Sequence, residues 1–181
     1  MMKTSVLKRD WTVLLLIDYE KIRKDFVSGL KEYCNCSMIR QNQAVEPPPY
    51  DYLGYTITTL MSENKGTYGI YEDGTARKPF TQIWSISSFS DDDTKAALLA
   101  AKAREWVDLV GTTYLNDRGI IVQSVGAITN RDNLLTYGYE YRKGFDVVLW
   151  LFDTVDEISG EYIETYEPNI KEIGGESNGN T

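Results

Sequence analysis

The groups in this chain that could do chemistry are carboxylates, thiols, tyrosines and basic side chains, because histidine is absent. Without an imidazole there is no Ser-His-Asp or Cys-His nucleophile, no His-ligated zinc and no general base of the commonest neutral-pH kind. Asp91-Asp92-Asp93, together with Asp132, is the set that would recruit a divalent cation for a carboxylate-and-metal enzyme. The same three aspartates stand where a helix begins, and helix capping with the macrodipole accounts for them without a metal. Cys34 and Cys36 are the only cysteines. They are too few for a structural zinc site and awkwardly spaced for a disulfide, so two reduced thiols at a helix end is the preferred reading. No catalytic residue, metal ligand or cofactor is assigned.

The elements that must position these groups centre on Gly119 to Asp153, which reads as two long strands joined by a charged, tyrosine-rich connection. In the second strand Phe145, Val147, Leu149 and Leu151 share one face at a period of two. Asp146 begins the other face, but Val148, Trp150 and Phe152 follow it, so that end is expected to be covered by a helix or by another chain. The first strand loses its alternation near Gln123 and Ser124, where a bulge would restore the register.

Upstream, Asp18 is a plausible N-cap for a helix whose stripe is Ile22, Phe26, Leu30 and Tyr33. Pro47-Pro48-Pro49 forbids helix and reads as a rigid lead-in to a strand from Tyr52 to Met61, or else as a polyproline ligand. Ser62 to Pro79 carries Tyr68 and Tyr71 among glycines and charges, and reads as a projecting loop or hairpin tip that contacts a neighbour. A strand from Phe80 to Phe89 follows, with Phe80, Trp84 and Ile86 on one face. The next helix has Ala96, Leu99, Ala100, Ala103, Trp106, Val107 and Val110 on one stripe and ends at Gly111 as a left-handed C′ residue.

This order predicts an α+β domain: a mainly antiparallel sheet of about four strands with two helices packed on one face. Residues 1–17 read as an N-terminal extension, 18–153 as the domain, and 154–181 as an acidic, partly flexible arm. The formal charge of −8 is uneven. From Asp153 onward eight acidic residues face Lys171 alone, a net of −7, which leaves about −1 for residues 1–152. No basic patch of the kind that grips phosphate backbones stands out, so nucleic-acid binding is not the main task. The apolar run Val13 to Ile17 is far below the ~20 residues that span a bilayer, and no cleavage site follows it. A chain made in the cytoplasm, with no membrane partner, is expected.

Several segments together resemble the phage neck and tail-terminator (tail completion) family. They are Pro47 to Tyr55, Lys102-Ala103-Arg104-Glu105-Trp106, Gly119 to Val125, Asn130-Arg131-Asp132, and Tyr139 to Val147, within a span from about Ile22 to Asp153. The resemblance implies an α/β fold, a ring of six subunits and no catalytic residues. The ring would cap the head-proximal end of the tail tube, stop polymerisation and offer the head–tail joining surface. Its partners would be its own copies, the tail tube protein, a head–tail connector protein and, in a contractile tail, the sheath. Genomic DNA would pass through the lumen without specific binding. The expected place is the virion neck, after assembly in the host cytoplasm.

Interface candidates are Tyr68, Tyr71, Arg131, Asp132, Tyr141, Arg142, Trp150 and Phe152. For Asp132, Glu140 and Asp146, three placements stay open: facing the lumen, lying at solvated strand edges, or pairing with Arg131, Arg142 and Lys143. Other head–tail connectors, a monomeric adaptor displaying the proline run, and the carboxylate-and-metal enzyme are the alternatives.

Overall fold

The computed structural model describes residues 17–43, 46–63, 69–72, 75–135 and 138–155. Helix α1, Tyr19–Cys34, starts where Asp18 accepts a hydrogen bond from the Lys21 backbone N–H at 2.8 Å. It stops at Asn35, whose left-handed backbone (φ 53°) turns the chain back on itself. The turn feeds β1, Ser37–Arg40, which runs parallel to β2, Tyr52–Glu63. Then come β3, Gly69–Ile70, and the long β4, Ala76–Ser90. Helix α2, Asp93–Glu105, passes into a π-helical turn, Trp106–Val110, and then into the short α3, Thr112–Asn116. The chain closes with β5, Ile121–Val125, β6, Thr129–Asn130, β7, Asn133–Leu135, and β8, Gly138–Val155.

The sheet order is β1-β2-β4-β8-β5, with β3 on β4 and with β6 and β7 along β8. All pairs are antiparallel except β1 with β2. This corrects the expectation of about four strands and two helices: among the described residues the sheet is mixed and has eight strands, and there are three α-helices. The four long strands are the ones that periodicity reveals. β1, β3, β6 and β7 run two to four residues, too short for any alternation to register, and are held by pairing with longer neighbours.

Two boundaries moved for local reasons. The stretch expected to project after Ser62 is strand at both ends, since β2 reaches Glu63 and β4 begins at the fully buried Ala76. Gly111 is not a left-handed helix end: its φ is −86° and the chain continues helically. The glycine is required by packing, because a Cβ there would lie 2.4 Å from the Trp106 ring.

Among the described residues the helices cover one face. There Phe80, Trp84 and Ile86 of β4 and Phe145, Val147, Leu149 and Leu151 of β8 meet Phe26 and Leu30 of α1 and Ala103, Trp106 and Val107 of the α2 region. Trp84 is the centre, with Tyr55 stacked at 5.2 Å and Phe26 tilted at 4.9 Å. Ala96, Ala100 and Ala103 let α2 lie close to β4 and β8, and the Ser88 hydroxyl, 2.7 Å from the Ala96 carbonyl, fastens the helix to the sheet. Ile17 is also buried against this core. The expected irregularity in the β5 strand is present as a register shift between Val122 and Ser124.

Candidate functional site

Among the described residues no helix lies on the opposite face of the sheet, whose side chains are those that alternate away from the core on β2, β4 and β8. At its centre lies Arg131, delivered by the short segment after β6. Its Nη1 donates to the Ser85 hydroxyl at 2.7 Å and the Ser87 hydroxyl at 3.2 Å, and its Nη2 pairs with Asp146 Oδ1 at 3.0 Å. Burial alone would push the Asp146 carboxyl up. Hydrogen bonds from Ser85 and Arg131, and the Arg131 charge, outweigh that and hold it below its ordinary range.

Gly144 makes room for this arrangement. A Cβ there would stand 2.7 Å from Arg131 Nη1, the Ile86 carbonyl oxygen and the Ser87 hydroxyl. The Ile86 carbonyl belongs to a sheet ladder and cannot retreat. Gly144→Ala is therefore expected to lower stability by about 1–3 kcal/mol in chemical denaturation, the usual cost of overpacking.

Toward one end of the face a row of flat groups is stacked. Tyr50 lies on Tyr52 at 5.9 Å, Tyr52 on Phe89 at 4.7 Å, and the Arg142 guanidinium over Phe89 at 4.8 Å. The buried Glu140 closes the row, accepting from the Tyr50 hydroxyl at 2.9 Å and from Arg142 Nε at 2.6 Å. Burial, and then the hydrogen bond to Glu140, push the Tyr50 phenol up to about 12. Around the strand edge, Lys143 Nζ sits between Asp93 Oδ1, at 2.6 Å, and both Asp132 oxygens, at 3.1 Å. Burial works against its charge, but the two carboxylates raise its pKa overall.

Asp132 is itself held below the ordinary range: burial pushes it up, while bonds from the Arg142 backbone N–H and Lys143 prevail. Asp132, Glu140 and Asp146 pair with Lys143, Arg142 and Arg131 respectively. The place between Asp93 and Asp132 where a cation would sit is thus filled by an ammonium group. Asp92 caps α2 through the Lys95 N–H at 2.8 Å, and Asp91 faces Lys95 Nζ at 3.8 Å. Among the described residues no group of three or more His, Cys, Asp or Glu could hold a metal ion.

The signs of these shifts set a pH test. A lowered carboxyl contributes stability above its unfolded pKa, about 4, and loses it as the pH falls through the folded value. A raised lysine contributes below its ordinary pKa and loses it only as the pH rises through the higher folded one. The cluster should therefore be insensitive near neutrality and weaken on acidification below about pH 4. Arg131→Met should shrink that acid loss and cost roughly 1 kcal/mol at neutral pH, a small figure because Asp146 is about half exposed. Denaturation midpoints measured across pH 2–7 would check both statements.

The other end of the face is apolar. Trp150 and Phe152, 5.7 Å apart, are 37% and 36% exposed, with the half-buried Ile121, Ile83 and Val148 beside them. Of the residues singled out from sequence, Arg131, Arg142, Trp150 and Phe152 therefore share this face, and Asp132 lies at its edge. Tyr141 does not join them, because alternation along β8 turns it to the helix side. Tyr71 is exposed at the far end under the Arg77 guanidinium, 4.6 Å from its ring, and Tyr68 lies outside the described residues. Tyr50, Tyr52, Phe89, Ser85 and Ser87 were missed. A glycine at position 144 inside an apolar strand was the one available signal, since such glycines mark a close approach.

A family model described as phage neck terminator protein matches residues 24–176. The chain belongs to the phage neck terminator family. No curated protein matches it. Membership makes this neck terminator a structural component of the phage virion, and the family's span runs past Asp153 into the acidic stretch. No helix among the described residues is long and apolar enough to cross a membrane.

Proposed function

We propose that this neck terminator assembles as a ring of six that seats on the last ring of the growing tail tube and stops its polymerisation. The opposite face of the ring offers the docking surface for the head–tail connector protein. The observation that carries this reading is the family match over residues 24–176. It is supported by a sheet with one helix-covered face and one that no described helix covers, the latter ending in the pair Trp150 and Phe152, 37% and 36% exposed. Aromatic side chains of this kind supply much of the energy at protein interfaces.

The mechanism needs no chemical turnover. A subunit that binds the polymerising surface but does not template another tube ring fixes the length by occupying the site. Arg131, Arg142 and Lys143 are each paired with a carboxylate, so this part of the body carries little free positive charge. Copies can then close a ring without strong mutual repulsion, and DNA can pass through the lumen without sticking. In a contractile tail the sheath is a further partner.

Negative-stain images of the purified protein, alone and with tail tubes, test the proposal. Rings, or tubes bearing a cap at one end, are the expected result. Unchanged tubes beside a protein that remains monomeric would overturn it.

A further inference from the structure

One stretch of β8 has a ladder on one side only. On the side away from β4, β5 pairs with residues 147–150 and stops at the partnership of Ile121 with Trp150, while β6 and β7 pair further back. β8 itself runs on to Val155, paired with β4 as far as Ala76. β5 does not follow it, because the chain reaches Ile121 from α3: the Ile120 N–H donates to the Leu115 carbonyl at 3.0 Å and the Ile120 side chain is fully buried. Among the described residues, no strand therefore meets Leu151 to Val155 on that side. A groove of about 330 Å³ runs there, with Ile17, Gly119, Leu151, Phe152 and Thr154 in its walls. Leu151 faces the helices, and Phe152 and Thr154 alternate to the other side, so the groove crosses the edge of the strand and belongs to neither face.

We infer that residues 12–16 of the same chain add to this edge as a further strand. Ile17 already stands in the groove wall and is buried against the core, so the residues before it start at the edge with no linker to span. Tethering of that kind favours the chain's own segment over the same segment of a second copy. Trp11-Thr12-Val13-Leu14-Leu15-Leu16-Ile17 holds no charge, glycine or proline between Asp10 and Asp18, so each of its residues can take a place in a ladder. Residues 12–16 extend about 16 Å, the length of the open stretch from Leu151 to Val155. Counting back from the buried Ile17 at a period of two, Val13 and Leu15 meet the helix side, and Leu14 and Leu16 lie beside Phe152. An apolar segment and an open strand edge each invite aggregation when left alone, and pairing one with the other removes both hazards. Such a strand belongs to the single subunit and forms whether or not copies close a ring.

Amide exchange in the full chain, read residue by residue by nuclear magnetic resonance, is the test. Alternate amides of residues 12–16, and those of residues 151–155 that point away from β4, should exchange at least about a hundredfold slower than in an unstructured peptide, at the same rate at every protein concentration. Of Leu14→Pro and Leu15→Pro, one removes an N–H that faces β8, and that variant should speed exchange at both sets by at least about tenfold while the amides between β4 and the rest of β8 keep their rates. Should the proline variants fail to fold, backbone cross-relaxation between residues 12–16 and 151–155 in the unaltered chain decides, and its presence is the expected result. Unprotected amides at residues 12–16, proline variants that both leave residues 151–155 unchanged, absent cross-relaxation, or protection that grows with protein concentration because a second copy supplies the segment would each overturn the inference.

Discussion

Replacing Trp84 by alanine is expected to destabilise the domain by about 3–5 kcal/mol, a large part of what a domain of this size possesses. The side chain is fully buried at the junction of β4, β8 and α1. Its removal opens a cavity between Tyr55 and Phe26, whose rings now rest on it at 5.2 and 4.9 Å. Neither ring can collapse into the space freely, because Tyr55 is held in β2 and Phe26 also meets Trp106 edge-on at 6.0 Å. A polar cost adds to the cavity. Trp84 Nε1 donates to Gln82 Oε1 at 3.0 Å inside the core, and Gln82 Nε2 already has no partner among the described residues. The variant would leave the whole Gln82 amide buried and unpaired, which costs a further 1–3 kcal/mol by the usual scale. Chemical denaturation followed by tryptophan fluorescence or circular dichroism reads the loss; a change below about 1 kcal/mol would mean that the ring cluster is not the core.

Trp150→Ala is expected to act elsewhere. The ring is partly exposed on the uncovered face, so the monomer should lose only a fraction of what Trp84→Ala removes. Assembly should weaken by ~2 kcal/mol or more, about thirtyfold in the association constant, as for other aromatic interface anchors. The neighbouring Phe152→Ala should reinforce the effect, since the two rings are in contact. Sedimentation or light scattering across a concentration series measures the shift. A variant with a less stable monomer but unchanged ring formation would place Trp150 in the core and sink the interface reading.

The contrast between the two tryptophans shows how much of the molecule was legible in advance. Alternation placed Trp84 with Phe80 and Ile86, and Phe145 with Val147, Leu149 and Leu151; all seven are buried where expected, because a long strand repeats its pattern often enough to be read. Asp18 and the aspartates before α2 were legible as caps because that role is local. What could not be read is what depends on partners distant in sequence. β3 and β6 exist only because β4 and β8 offer ladders to pair with, and β1 lies parallel to β2 because the Asn35 turn sends it that way. Gly111 has the right residue type for a helix end, yet the Trp106 ring above it, rather than a positive φ, demands the glycine.

The same limit applies to the uncovered face. Pairing of Arg131, Arg142 and Lys143 with nearby acids was open from sequence, since such pairs lie within about fifteen residues of one another. The stack of Tyr50, Tyr52 and Phe89 under Arg142 was not, because it joins the proline segment, β2, β4 and β8. Periodicity marks Tyr52 and Phe89 as strand residues but is silent on which rings meet.

Tail length in phage assembled without this gene product tests the central claim most directly. Infections lacking the protein should yield tubes longer than normal, or finished tails and filled heads that remain apart, as seen by electron microscopy. Supplying the protein in trans should restore normal joined particles, and supplying the Trp150→Ala variant should restore fewer. Tails of normal length joined to heads in its absence would contradict the terminator mechanism.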